Sequence, residues 1–254
     1  VPDLLAKKHW HHFQVFKDTV ETAGYHIAVK ILGMADYGAP QSRFRTVVVA
    51  AREFIPTLPE PVFKPEQYRT VRDAIGKLPP LKAGEKDSKD PMHVTSRHRK
   101  ETIEILKQVP KNGGNRPYGV GPKCLDKVEG FYDVYGRLAW DKTAVTITAR
   151  CRTPSCGRFV HPEQDRGLSV REAALLQGFP EDFYFEGPFD DKFKQIGNAV
   201  SPIFSTVLAG HILSMLAGKN HADMEETISE PTFSSYSGTI AHVKKNKDAK
   251  RKDK

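Results

Sequence analysis

Apolar residues recur every three or four positions near the start of the chain. Between His11 and Ala23 this spacing predicts an amphipathic helix, which Gly24 is placed to end. From Tyr25 to Leu32 apolar and polar residues alternate instead, which predicts a strand. The apolar run from Arg45 to Ala51 predicts a second strand after a turn-rich stretch. A helix followed by two strands is typical of the last part of an α/β sheet.

The pattern changes between residues 54 and 167, where prolines, glycines and charged residues interrupt it every few positions. Short apolar repeats predict helices over Val71–Leu78 and Arg97–Val109, and strands over Phe131–Trp140 and Ala144–Thr148. Long connections between short elements favour a smaller, loop-rich module that is separate from the sheet.

Regular periodicity returns in the last third of the chain. Ser169 and Glu172 have the spacing of a capping box, which predicts a helix that reaches Gln177. A final helix is predicted to begin at Pro202, because Ser201 can cap it and proline is favoured in a first helical turn.

Charge is concentrated at the end of the chain. The 254 residues carry a net charge of +8, but the seven Lys/Arg and two Asp between Lys244 and Lys254 contribute +5 of it. Residues 219–254 also contain few large apolar residues, so they are predicted to form a basic, mobile tail. The remaining +3 does not by itself indicate a nucleic-acid partner.

The composition also argues against several classes of protein. Cys124, Cys151 and Cys156 form no C-x-x-C pair, so reduced thiols are expected and no metal site is predicted. There is no run of 18 apolar residues and no secretory leader pattern, so no membrane partner is expected. A location in the cytoplasm, in the nucleoid, or in a eukaryotic nucleus follows.

Two arginines stand one residue apart where the second predicted strand begins. Alternate residues of an extended chain share a face, so Arg43 and Arg45 can present two guanidinium groups to one anionic or carbonyl-bearing ligand. Two surface arginines at the start of a strand would show the same spacing, and this pentapeptide alone does not separate the two interpretations.

Two other stretches combine groups that could bind a ligand. Thr143–Arg158 mixes strand hydroxyls with arginines in the loop that follows, a combination suited to DNA bases and phosphates, although a solvated loop is the alternative. Gln195–Val200 precedes the last predicted helix, where backbone amides and Asn198 could bind an anion; the alternative is a tight turn that packs this helix.

Three blocks in a fixed order are more specific than any one of them. They are Ala35–Arg45 (ADYGAPQSRFR), Arg171–Pro180 (REAALLQGFP) and Gln195–Val200 (QIGNAV). Together they resemble the C-terminal half of DNA (cytosine-5) methyltransferases, over residues 1 to about 217. The resemblance implies an α/β fold, the C-terminal part of a Rossmann-like methyltransferase domain with an inserted recognition module.

The resemblance also implies roles for individual residues. Arg45 would contact the flipped cytosine, and Arg43 would support the catalytic loop or a phosphate. Asn198 and Ala199 would belong to the S-adenosyl-L-methionine pocket. Double-stranded DNA is the implied partner, and the implied DNA-binding residues are Gln41, Thr146, Thr148, Arg150, Arg152 and Arg158.

The same resemblance divides the chain into four segments. Residues 1–53 would end the catalytic α/β domain and 54–167 would form the target recognition domain. Residues 168–218 would return to the catalytic domain, and 219–254 would be the basic tail.

Part of the family's active site has no counterpart in this sequence. The family's nucleophile lies in a Pro-Cys-Gln segment, and no cysteine here follows a proline. The chain begins at Val1-Pro2, which resembles the end of the family's Glu-Asn-Val motif. We therefore expect a fragment, or a subunit of a split enzyme, that is inactive without an N-terminal half. A non-catalytic DNA-binding specificity module and a tRNA cytosine-5 methyltransferase are the alternatives.

Overall fold

The computed structural model describes residues 2–127 and 131–218, and the predicted basic tail lies outside the described residues. The described helices and strands fall into two compact units. In chain order they are α1 (Trp10–Thr22), β1 (His26–Gly33), β2 (Gln41–Ser42), β3 (Phe44–Ala51), α2 (Val71–Ile75), α3 (Lys100–Gln108), β4 (Ala144–Val145), α4 (Val170–Gln177), α5 (Phe189–Asn198) and α6 (Pro202–Leu216).

Of the described residues, the first unit comprises 2–33, 44–61 and 206–218. Within it β1 and β3 pair antiparallel, with His26 opposite Ala51 and Gly33 opposite Phe44. Helix α1 packs on this pair through a small apolar core. The predicted helix and both predicted strands are therefore confirmed, each within one residue at either end. The buried members of the core are Leu5, Phe13, Ile27 and Val29.

One helical stretch, Phe189–Leu216, passes a test for a membrane span by length and composition. This stretch is weak evidence for a membrane span, because it consists of two helices, α5 and α6, with a break at residues 199–201. The 15 residues of α6 extend roughly 22 Å at the rise of an α-helix, which is less than the hydrocarbon thickness of a bilayer.

The second unit comprises Met34–Arg43 and Val62–Ser205. Its two-stranded parallel sheet pairs Gln41 with Ala144 and Ser42 with Val145. Helices α2, α4 and α5 surround the larger apolar core of this unit. Residues 34–43 and 168–205, which the sequence assigned to the catalytic domain, thus pack with residues 62–167. The physical reason is a set of buried hydrogen bonds described below.

The predicted strand over Phe131–Trp140 is wrong. Phe131 and Tyr135 have φ angles of 53° and 60°, in the left-handed region, so the chain turns instead of extending. Arg137 is fully buried here, and its guanidinium donates to the carbonyl oxygens of Leu106 and Val109, at 2.6 and 3.0 Å. The alternation of apolar residues in this stretch reflects a buried turn.

The predicted capping box at the start of α4 is confirmed. Ser169 Oγ accepts from the Glu172 backbone N–H at 3.0 Å, and a Glu172 carboxylate oxygen accepts from Ser169 N–H at 2.7 Å. The same carboxylate receives two bonds of 2.7 Å from the Arg166 guanidinium. Arg166 and Glu172 are each 1% exposed, so this ion pair is part of the core.

Burial and neighbouring charge shift two pKa values at this ion pair. Burial opposes ionisation of Glu172, but the Arg166 charge outweighs it and lowers the pKa of the carboxyl to about 2. Burial also lowers the pKa of His161 to about 4, although the Glu172 carboxylate lies 3.8 Å from its Nε2. His161 is therefore neutral near pH 7, and Nδ1 accepts from the backbone N–H groups of Glu163 and Gln164.

We predict that the free energy of unfolding falls with acidification in two stages. His161 takes up a proton near pH 6.5 in the unfolded chain but only near 4 in the folded one, so stability declines between these values. Glu172 adds a further decline between about pH 4.5 and 2, because in the folded chain its carboxyl stays ionised at pH values below its ordinary pKa. Urea unfolding at a series of pH values measures both stages.

His161→Asn is the matched variant for the first stage, because the Asn oxygen can replace the Nδ1 acceptor without titrating. It should remove about 2 to 3 kcal/mol of the pH dependence between pH 6.5 and 4. An unchanged dependence in this variant would contradict the assignment to His161.

Candidate functional site

Arg43 is buried and bound to the main chain of its own unit. Its Nη1 donates to the Ile147 carbonyl at 2.7 Å, and its Nη2 donates to the carbonyls of Gly197 and Ala199 at 3.1 and 3.4 Å. The residue is 5% exposed. Arg43 therefore positions two segments that are distant in sequence, and the expectation that it presents its guanidinium to a ligand beside Arg45 is corrected.

Gln41 lies in the same buried region. Its Oε1 accepts from the Ile147 N–H at 3.1 Å, and its Nε2 donates to the Leu176 carbonyl at 3.1 Å and to Gln177 Oε1 at 2.7 Å. Gln177 Nε2 in turn donates to the Ala199 carbonyl at 2.7 Å. Gln41 has no exposed surface, so its polar groups serve the protein here, and its predicted contact with DNA stays a prediction.

These hydrogen bonds join the three sequence blocks, and we call the set the motif junction. The first block supplies Gln41 and Arg43, the second supplies Gln177, and the third supplies the carbonyls of Gly197 and Ala199. Ile147, two residues after β4, is the contributor from outside the three blocks. Gln177 was not among the predicted site residues, although this residue lies inside the second sequence block. The junction consists of Gln41, Arg43, Ile147, Gln177, Gly197 and Ala199.

The third block forms the end of a helix, which differs from the prediction. Gln195 to Asn198 are the last turn of α5, and the Ala199 N–H bonds back to Gln195 and Ile196. A helix C-terminus presents carbonyl groups, so this end attracts the cationic Arg43 rather than an anion. Asn198 is exposed and Ala199 is half-buried. The exposed Asn198 carboxamide can donate and accept hydrogen bonds, and its role in a cofactor site stays a prediction.

Gly197 brings this helix end into direct contact with the segment after β4. A methyl group at Gly197 would overlap the backbone nitrogen of Ala149 and the carbonyl carbon of Thr148. Glycine is therefore required for the close approach of the two backbones. The helix turn that precedes the predicted cofactor residues thus packs against the start of the predicted DNA-contacting loop.

The predicted DNA-binding residues of this loop divide into two groups. Thr148 and Arg150 are exposed and can reach a ligand. Thr146, Arg152 and Arg158 are engaged with the protein. Thr146 Oγ1 donates to the Ser42 carbonyl at 2.9 Å, Arg152 pairs with Asp190 at 2.7 Å, and Arg158 Nη1 donates to the carbonyls of Gly113 and Arg137, each at 2.8 Å.

Arg45 belongs to the other unit, where it stands on β3 opposite Leu32. It is half-buried, and its Nη1 donates to the carbonyl of the preceding Phe44 at 2.7 Å. This bond constrains the guanidinium close to the strand. Arg45 thus keeps partly accessible surface, whereas Arg43 does not.

The three cysteines differ in burial, and the buried one is not an activated nucleophile. Cys151 is buried, and burial raises the pKa of its thiol to about 12, so it is protonated near pH 7. Cys124 and Cys156 are exposed. Within residues 2–127 and 131–218, no group of His, Cys, Asp and Glu side chains has the arrangement of a metal site.

The chain shares its α/β fold with a solved structure. An E. coli prophage protein described as a DNA modification methyltransferase superposes with a TM-score of 0.52 at 23% identity, over 77% of this chain and 62% of that one. The pattern of the C-5 cytosine-specific DNA methylase family matches residues 1–214. The chain belongs to this family, and the resemblance seen in the sequence is confirmed.

Curated relatives agree with this assignment. Type II methylase M.HgiDII of Herpetosiphon aurantiacus is 38% identical over 226 residues, 86% of this chain and 64% of its own length. Type II methyltransferase M1.HphI of Haemophilus parahaemolyticus is 38% identical over 196 residues, 77% of this chain and 50% of its own. The chain therefore spans about half to two thirds of the length of these relatives.

We predict that Gly197→Ala disrupts the contact between α5 and the Thr148–Ala149 backbone. An alanine normally stabilises a helix relative to glycine, but here its methyl group has no space, and we expect a loss of about 2 kcal/mol or more in the free energy of unfolding. Urea denaturation followed by circular dichroism measures it. Gly210→Ala in α6 is the control, because nothing lies within 4 Å of the added carbon. The idea fails if both variants are equally stable.

Proposed function

We propose that this chain is the C-terminal portion of a DNA (cytosine-5) methyltransferase that acts on a cytosine flipped out of double-stranded DNA. Family membership supports the reaction class. The observation that carries the proposal is the motif junction, because it unites all three family blocks with Ile147, which lies between β4 and the proposed recognition loop. Such an enzyme acts where DNA is, in the nucleoid or the nucleus.

The proposed chemistry divides between this chain and a segment outside it. Attack by a cysteine thiolate on C6 of the cytosine makes C5 nucleophilic. No cysteine here follows a proline, so we propose that the thiolate comes from an N-terminal half, in the same reading frame or in a separate subunit. S-adenosyl-L-methionine, when bound, supplies the methyl group as an electrophilic sulfonium.

The role proposed for Arg45 is to stabilise charge on the base. Negative charge accumulates on the ring during attack, and a guanidinium held at the O2 edge would stabilise it where it develops. The half-buried position of Arg45 and its bond to the Phe44 carbonyl support a restrained, accessible cation. Arg43 contributes by holding Ile147 and Gly197 in place.

We propose that cofactor binding and DNA binding use different residues of this chain. Asn198 would contact a polar part of the cofactor, with Ala199 beside it. Thr148 and Arg150 are the exposed candidates for DNA contact, since an Arg can donate two hydrogen bonds to a guanine edge and both side chains can bind phosphate. The other predicted DNA residues would shape the surface that presents these two.

The proposal is tested by methyl transfer from labelled S-adenosyl-L-methionine to DNA and to tRNA, with and without a co-expressed N-terminal half. The nucleotide sequence ahead of the Val1 codon shows whether such a half shares the frame, as a segment with Pro-Cys-Gln that ends in Glu-Asn. We expect methylation of DNA only when both halves are present. Transfer to tRNA in place of DNA, or activity of this chain alone, would contradict the proposal.

We predict that Arg45→Ala in the reconstituted enzyme lowers kcat on the order of 100-fold and changes DNA affinity little, because the contact strengthens as charge develops. Single-turnover methylation and equilibrium DNA binding give the two quantities. Arg52→Ala is the control in the same unit, since Arg52 lies over the Tyr25 ring at 4.6 Å and should leave kcat unchanged. A parallel loss of binding and rate would remove the catalytic role of Arg45.

A further inference from the structure

Tyr118 is the most exposed aromatic side chain in the described part of the chain, with 80% of its surface in contact with solvent. It stands in residues 116–126, which we call the Tyr118 loop. The other described tyrosine among the strongly exposed residues, Tyr184, is 51% exposed and has the Lys192 ammonium 4.9 Å from its ring centre. Tyrosine is enriched at contact surfaces because it combines an apolar ring with a polar hydroxyl, but a single exposed ring needs the further observations below to indicate a site.

The Tyr118 loop is closed by a nearly buried ion pair. Arg116 Nη1 donates to Asp126 Oδ1 at 2.9 Å and to the Val120 carbonyl at 2.5 Å, and the two charged side chains are only 9% and 13% exposed. Gly119 and Gly121 adopt φ angles of 78° and 83°, which complete the turn beyond the tyrosine. The ring is therefore presented by a constrained loop, which limits the conformational entropy lost on binding.

The base of this loop is attached to the proposed recognition loop. Arg158 Nη1 donates to the carbonyls of Gly113 and Gly114, at 2.8 and 3.3 Å, and its Nη2 donates to the Asn115 side chain. These residues directly precede Arg116. Arg158, predicted to bind DNA itself, instead links the Tyr118 loop to the segment that carries Thr148 and Arg150.

A second connection runs through Tyr135. Its backbone N–H donates to the Pro154 carbonyl at 2.8 Å, and Leu125 of the Tyr118 loop packs against the apolar cluster to which Tyr135 belongs. The Tyr118 loop also carries the exposed Lys123 and is followed by the exposed Lys127. An aromatic ring accompanied by lysines matches the pairing of stacking and phosphate attraction in nucleic-acid binding.

We propose that Tyr118 is a DNA-contacting residue whose ring stacks on a nucleobase that is unpaired and out of the duplex stack, in the same unit as Thr148 and Arg150. This inference rests on the proposed function and adds a second loop to its DNA site. The lysines supply attraction to phosphates, whereas the ring supplies stacking, so the two contributions respond differently to salt.

The test measures binding of the full 254-residue chain, by fluorescence anisotropy, to a fluorescein-labelled DNA duplex of random sequence that carries unpaired bases, since these offer a free face for stacking. Tyr118→Ala should weaken binding about 10-fold, and Tyr118→Phe should retain it, because stacking depends on the ring. Tyr184→Ala is the matched control and should bind as the unmodified chain does. The double variant Lys123→Gln/Lys127→Gln should lower the slope of the log binding constant against log salt concentration by an amount equivalent to about one to two phosphate contacts. Tyr118→Ala should leave this slope unchanged.

A spectroscopic measurement separates stacking from a change in loop structure. The emission of Tyr118→Trp should be quenched when DNA is added, and that of Tyr184→Trp should not. DNA binding that is unaffected by Tyr118→Ala would overturn this inference and leave the proposed function standing. Absence of DNA binding by the unmodified chain, even at low salt, would overturn both.

Discussion

The second unit depends on the requirement that a buried guanidinium have acceptors for its N–H groups. Arg43 meets it with carbonyl oxygens of Ile147, Gly197 and Ala199, which lie more than 100 residues further along the chain. An unsatisfied buried cation would cost several kcal/mol, so the segments that carry these carbonyls are held in register with the start of the unit. Gln41 and Gln177 extend the same constraint to α4.

Features set by neighbouring residues could be predicted from the sequence. The cap formed by Ser169 and Glu172 involves positions three apart, and the alternation in β1 follows from one face of a strand meeting a core. The family assignment also succeeded, because it required only the order of short blocks. Positions of this kind depend little on how the rest of the chain folds.

Features set by distant residues could not be predicted in the same way. Gln41 and Arg158 have the chemistry of DNA-binding residues, but their polar groups are used by carbonyls and amides from other segments. The buried pair of Arg166 and Glu172 has the same origin, since charged residues give no sequence signal that they will be enclosed. The left-handed backbone at Tyr135 likewise turned an apparent strand into a buried turn. The roles of Arg45, Asn198 and the exposed loop residues stay proposals.

The parallel pairing of β2 with β4 has a consequence for how the family diversifies. Only Gln41, Ser42, Ala144 and Val145 form this ladder, and about 100 residues lie between its two strands. The entropic cost of closing such an insertion grows slowly, by about 0.6 kcal/mol for each doubling of its length. The insertion can therefore lengthen, shorten or be exchanged during evolution while the ladder and its buried glutamine keep both ends anchored. Because β3 directly follows β2, this tolerance applies to the surface loops between β3 and β4, where a change of length leaves the paired strands in place.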